Sequence, residues 1–175
     1  MTRQERAEKR LQATAYHEAG HAVARWALGL NVRRVSIVPD AESYGCCAYG
    51  LGRRFRPDLA NGRLMENLVH GHIVALLAGE SAEYVLRGRH NGSGAGSDLH
   101  EAADLATYVA SDEEEVEALL KWLRVKARNL VRGRWWAVEA SYLRVHGFGG
   151  ILTSVGISHQ PHERGGWSNE DSSRR

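Results

Sequence analysis

Between Leu11 and Ala27 an apolar residue returns at every fourth position: Leu11, Ala15, Ala19, Val23 and Ala27. Residues four apart lie one above the other on an α-helix, so this repeat predicts a helix over residues 4–28 with one buried stripe. Gly29 is its expected stop. The rest of the chain has to supply partners for that stripe. With 175 residues, 43% of them hydrophobic, the chain suffices for one compact domain, and a second full domain would be cramped.

The partners can be read in outline. RRVSIVP alternates at Val35 and Ile37 and is β-branched, which predicts a strand ended by Pro39. SYGCCAYG, residues 43–50, follows a short polar turn and is expected to pair with it as a hairpin. Residues 51–62 carry Arg, Pro and Gly and read as a loop. Residues 63–87 return to helix, with Leu64, Leu68, Ile73, Leu76, Leu77, Ala82 and Val85 as the expected core face and Gly79 as the expected break. RGRHNGSGAGSD is a Gly-rich loop. Ser97 or Asp98 has the character of an N-cap, with Glu101 placed for a capping box, for a helix over about 98–110. Ser111 is the expected cap of a further helix whose first turn is acidic, interrupted near Gly133 and running to about Val145. The fold class is therefore mainly α (α+β), with one small sheet. Residues 1–155 form the domain, and 156–175, polar and rich in Gly and Ser, form a tail expected to be disordered.

Composition excludes more than it suggests. Charged residues make up 25% of the chain, and 23 Lys+Arg against 21 Asp+Glu leave a net charge of +2. No nucleic-acid or anionic-membrane partner is expected from that balance. The basic clusters Arg3–Arg10, Arg53–Arg56 and Lys121–Arg134 read as solvated faces. Cys46 and Cys47 are adjacent, a spacing that rarely reaches disulfide geometry without strain. With no disulfide framework, a cytoplasmic location is the default. As metal ligands, these cysteines lack a second pair. The N-terminus, MTRQERAEKR, has no apolar signal core, and the longest apolar stretch, Ile73 to Gly79, is far short of the roughly 20 residues that span a bilayer.

The predicted first helix carries HEAGH. His17 and His21, four apart, share one helix face, so both imidazoles can bind one zinc ion. Glu18 is turned about 100° from His17 and is displaced from the same coordination sphere. It is placed instead to take a proton from a water that zinc activates. An H-E-x-x-H pattern on a helix is the required context for a metalloprotease site. The bland alternative is two partly buried histidines and a surface glutamate. Ala19 and Gly20 are small and leave room for substrate or a packed neighbour. A catalytic zinc wants a third protein ligand. Spacing leaves Asp98, His100, His90, His72, Glu80 and Glu83 all open.

Four stretches, TAYHEAGHAVARW, SYGCCAY, LLAGESAEYVLRG and GSGAGSDLHEAADLA, occur in an order and at spacings that resemble the peptidase domain of the FtsH-type zinc metalloproteases, over about residues 11–155. The resemblance implies a helical zincin-like fold with a strand flanking the cleft. It implies that His17, His21 and Asp98 are zinc ligands and Glu18 the general base. It places Glu83 behind the ligands at most. The segment Tyr44, Gly45, Cys46 and Cys47 would be an edge strand pairing with an extended substrate. FtsH-type proteases carry membrane segments and an AAA+ ATPase ahead of this domain. This sequence holds no G-x-x-x-x-G-K-[ST] and no membrane-spanning stretch, so the expectation is a stand-alone, ATP-independent peptidase acting on unfolded protein or peptide. A separate ATPase or unfoldase and a homo-oligomer are its candidate partners. The GSGAGSD loop departs from the family's threonine-containing form, and the segment around Trp135 and Trp136 is unusually rich in Trp and Arg.

Two rival functions remain. One is a zinc-binding regulatory or adaptor module using Trp135, Trp136 and nearby arginines as a contact surface, although an aromatic pair on a helix is more often core. The other is a zinc amidase for small substrates. Of the remaining histidines, His70 and His72 read as structural, and His90 and His100 as candidates for supporting the ligands. His146, His159 and His162 carry no expected role.

Overall fold

The computed structural model describes residues 1–38, 45–52, 55–59, 62–88, 96–147 and 151–153. Pro39, Tyr44, His90, the center of the Gly-rich loop and the tail from 156 on lie outside the described residues, as do the side chains of His146 and residues 151–153.

The first helix, α1, spans Arg3–Ala27. It starts one residue earlier than the apolar repeat suggests because Thr2 and Glu5 form a capping box. Gly29, at φ 69, follows the Leu28 C-cap in the left-handed conformation that glycine adopts at little cost. Burial begins only at Ala13, and Leu11 is 38% exposed. The charged residues before it leave nothing on that part of the helix to bury. The buried segment is then continuous from Ala15 to Arg25, wider than a stripe, because neighbors cover it on several sides.

Those neighbors are α2 (Arg63–Leu76), α3 (Ala78–Arg87), α4 (Gly96–Ala106), α5 (Glu113–Gly133) and α6 (Trp135–Gly147). Helix α1 runs against α3 and α6, and Tyr16, Ala19, Val23 and Ala24 share a core with Ala78, Ala82, Val131 and Val138. Tyr16 stacks between Trp135 and Tyr142, with ring centroids 5.4 and 4.3 Å away. A second core joins α2, α4 and α5 through Val69, Ile73, Leu77, Leu105, Leu123 and Ala127. Among the described residues, β1 (Arg34–Ser36), β2 (Cys46–Ala48) and β3 (Ile151–Thr153) form one antiparallel sheet in the order β2-β1-β3. Val35 and Ile37 pack from it onto Ala15 and Ala22 of α1. The architecture is mainly α with a small sheet, as expected, and β3 adds a strand that the sequence reading did not place.

Several boundaries need correction. The break in residues 63–87 falls at Leu77, two residues before Gly79. Leu64 is 76% exposed, and Met65 and Val69 take its place in the core at the start of the helix, while Ile73, Leu76 and Leu77 are buried as expected. Ser97 and Asp98 are not caps: α4 already includes them, and it ends at Ala106, short of 110. The cap of α5 is Asp112, whose carboxylate accepts from Glu115 N–H at 2.8 Å, while the backbone N–H of Ser111 donates to Glu115. The interruption near Gly133 is real and falls at Arg134.

Candidate metal centre

His17 and His21 are buried on α1, and their rings meet edge to face with centroids 4.6 Å apart. Each ring has one nitrogen engaged from behind. His17 Nδ1 is 2.9 Å from Glu83 Oε1 on α3. His21 Nδ1 is 2.8 Å from the carbonyl of Ala75, two residues before the interruption at Leu77. A carbonyl can only accept, so His21 carries a proton on Nδ1, which leaves Nε2 as the nitrogen able to bind a metal. A carboxylate behind His17 favors the same tautomer.

Both Nε2 atoms then face the first turn of α4. Asp98 Oδ2 lies 3.0 Å from His17 Nε2 and 3.3 Å from His21 Nε2. Among the described residues these three form the group of side chains able to share an ion. A tetrahedron with bonds of about 2.0–2.1 Å has edges of about 3.3–3.4 Å, so the spacing and the N,N,O donor set fit zinc. Burial pulls the pKa of His17 down, but its hydrogen bonds to Asp98 and Glu83 overcome this and raise it to about 10. Burial pushes Asp98 up, and the two imidazoles more than reverse that, holding it well below the usual carboxylate range.

Glu18 is buried beside this group and on the adjacent face of α1. Burial raises its pKa against the pull of His21 and His17. Such a shift moves a carboxyl toward the range where it can exchange protons near neutral pH. Gly45, just before β2, leaves space for it. A Cβ there would lie 2.6 Å from Thr14 Cγ2 and 2.9 Å from Glu18 Oε1.

Two more glycines shape the site. A Cβ on Gly20 would lie 2.6 Å from the Ala78 carbonyl oxygen, so the small residue in HEAGH serves a packed neighbor, α3. A Cβ on Gly79 would lie 2.5 Å from His21 Nε2 and 2.6 Å from His17 Nε2. Gly79 is therefore the backbone surface against which both rings rest. Its place after an apolar run predicts a helix break instead.

The other expected residues lie outside this group of three. Cys46 and Cys47 lie on β2, in no disulfide, and pair with Ser36 and Val35 of β1. Cys47 packs onto the core between sheet and α1, and burial, with Glu18 next, pushes its thiol up to about 12. Tyr44 is outside the described residues. His72 is buried against Phe55, ring centroids 4.5 Å apart, and burial lowers its pKa to about 4. His100 is exposed and pairs with Asp104 at 3.7 Å, so it does not support the ligands. Glu80 lies 3.5 Å from Arg124 of α5. Trp135 belongs to the core stack, whereas Trp136 is 61% exposed.

Residues 4–112 match the model of a protein family described as peptidase family M41. The chain belongs to peptidase family M41. It is similar to the ATP-dependent zinc metalloprotease FtsH of Pseudomonas putida, 36% identical over 97 residues, which are 54% of this chain and 15% of that protein. The FtsH proteins of Magnetococcus marinus and Thermotoga maritima are each 37% identical over 101 residues, 57% of this chain and 14% and 15% of theirs. The chain thus spans a small part of the length of these relatives. Among the described residues, no helix is long and apolar enough to cross a membrane.

Proposed function

We propose that this M41 chain is a zinc-dependent endopeptidase acting on unfolded or flexible polypeptides, with His17, His21 and Asp98 as the metal ligands and Glu18 as the general base. The observation that carries the reading is the convergence of His17 Nε2, His21 Nε2 and Asp98 Oδ2 at 3.0 and 3.3 Å, with both histidine Nδ1 atoms engaged elsewhere. Bound there, zinc supplies Lewis acidity toward water and the scissile carbonyl.

The residues of the chain do the rest. Glu83 and the Ala75 carbonyl hold the imidazoles in the tautomer that leaves Nε2 free. Glu18 receives the proton of the attacking water and returns it to the leaving amine. Its raised pKa suits both halves of that transfer. Strand β2 borders the site through Gly45 and has one hydrogen-bonded neighbor, β1, among the described strands. An extended substrate would add to its other edge through backbone hydrogen bonds, alongside Cys46 and Cys47. Because a strand edge reads backbone, the substrate must be unfolded there. The relatives are named as ATP-dependent, and a separate unfoldase is the partner this reading would need for folded substrates.

The test is cleavage of casein by the purified chain without ATP, beside Glu18→Gln and a zinc chelator. Cleavage lost in both controls, with zinc retained by Glu18→Gln, is the expected result. Stoichiometric zinc without cleavage would sink the peptidase reading and favor a zinc-binding adaptor.

A further inference from the structure

Strand β2, helix α1 and helix α4 each supply part of the site, and they meet again at one place beside it. Tyr49 directly follows β2. Its ring covers the guanidinium of Arg25, whose Cζ lies 3.6 Å from the ring centroid. Its hydroxyl donates to Glu101 Oε1. Arg25 is one turn beyond His21 on α1, and Glu101 is three residues beyond Asp98 on α4. Arg25 is 1% exposed, and its Nε donates to the Asn31 carbonyl at 2.8 Å. A guanidinium that buried has no contact with substrate, but its charge makes it a firm base for an aromatic face.

The need for such a tie is visible in α4. Its buried residues are Ala102, Leu105 and Ala106, so the packing that anchors this helix begins four residues after Asp98. None of residues 96–101 is buried. Apart from the contacts of Asp98 with His17 and His21, this turn is therefore held from the side, and among the described residues Tyr49 reaches it from the end of β2.

We propose that Tyr49 is a positioning residue of the metal centre: standing on Arg25 and bonded to Glu101, it fixes the Asp98 turn of α4 to the end of β2. This rests on the zinc-peptidase reading above. Tyr49 couples two quantities that would otherwise be independent, the affinity for zinc and the grip on an extended peptide.

The test measures zinc affinity by competition with a chromogenic chelator, and KM and kcat for an unfolded peptide at saturating zinc. Tyr49→Phe keeps the ring on Arg25 and removes the bond to Glu101. It should weaken zinc binding about tenfold, the scale of supporting residues around a metal, and raise KM severalfold with less change in kcat. Glu101 is exposed, so Glu101→Ala removes the acceptor without disturbing the core and should have the same effect. Glu101→Gln, which still accepts, should restore most of it. The double variant Tyr49→Phe/Glu101→Ala should be no weaker than either single change. Wild-type zinc affinity in Tyr49→Phe, or losses that multiply in the double variant, would overturn the inference. If the wild-type chain itself bound no zinc, the reading of the metal centre would fall instead.

Discussion

Gly79→Ala should remove the metal site while leaving the fold standing. The new Cβ would lie 2.5 Å from His21 Nε2, 2.6 Å from His17 Nε2 and 2.7 Å from His17 Cδ2. Unstrained heavy-atom contacts begin near 3.5 Å, so both rings would have to retreat by roughly 1 Å. Metal–ligand distances tolerate only about 0.2 Å. Retreat is opposed by the bonds behind the rings, at 2.9 Å to Glu83 and 2.8 Å to the Ala75 carbonyl. Either those bonds or the convergence of the Nε2 atoms must yield. Each such support is worth about 10- to 100-fold in metal affinity, so a loss of about 100-fold or more is expected, about 2.8 kcal/mol. The folded chain suffers less. Overpacking costs about 1–3 kcal/mol, offset by about 1 kcal/mol from alanine's helix propensity, since Gly79 is helical with no positive φ. Zinc competition titrations, beside melting of chelator-treated protein followed by circular dichroism, separate the two effects. A variant that binds zinc within about threefold of wild type would refute the reasoning.

Other outcomes follow from the same geometry. Gly20→Ala meets the Ala78 carbonyl at 2.6 Å and Ala82 Cβ at 2.8 Å, so it should separate α1 from α3 and lower the stability of the metal-free chain by about 1–3 kcal/mol in denaturant titration. Glu83→Gln removes the carboxylate behind His17 and should weaken zinc about 10- to 100-fold, with unchanged affinity counting against its role. In chelator-treated protein, His17 holds its proton up to about pH 10 against an ordinary 6.5. Its stabilisation is therefore complete below pH 6.5 and lost as the pH rises toward 10, and the melting temperature should fall over that window. Zinc binding at neutral pH should release that proton, measurable by calorimetry in buffers of different ionization enthalpy.

What was legible in the sequence was local. The i, i+4 spacing of His17 and His21 fixes their common face, and the helix around them is amphipathic enough to be read directly. Asp98 follows only from the family resemblance, because spacing alone leaves it among six carboxylates and histidines. Glycine roles were the hardest to see. A glycine after an apolar run signals a break, yet Gly79 is small because two imidazoles from another helix rest on it, and the interruption falls at Leu77. Leu64 has a similar lesson: in a helix so rich in apolar residues, the buried face is chosen by the partners, and the core shared with α4 and α5 takes Val69 while Leu64 stays exposed. Tyr49 carried no signal beyond being an aromatic residue after a short strand. Its bond to Glu101 spans 52 positions and exists only in three dimensions.

His17 and Asp98 stand 81 positions apart in the chain. An ion gripping both would therefore act as a removable cross-link, closing a loop nearly half the length of the protein. A tie of that span restricts the unfolded chain by roughly 4 to 5 kcal/mol on the entropic account used for disulfides. Metal loss would then slacken the molecule as well as silence it.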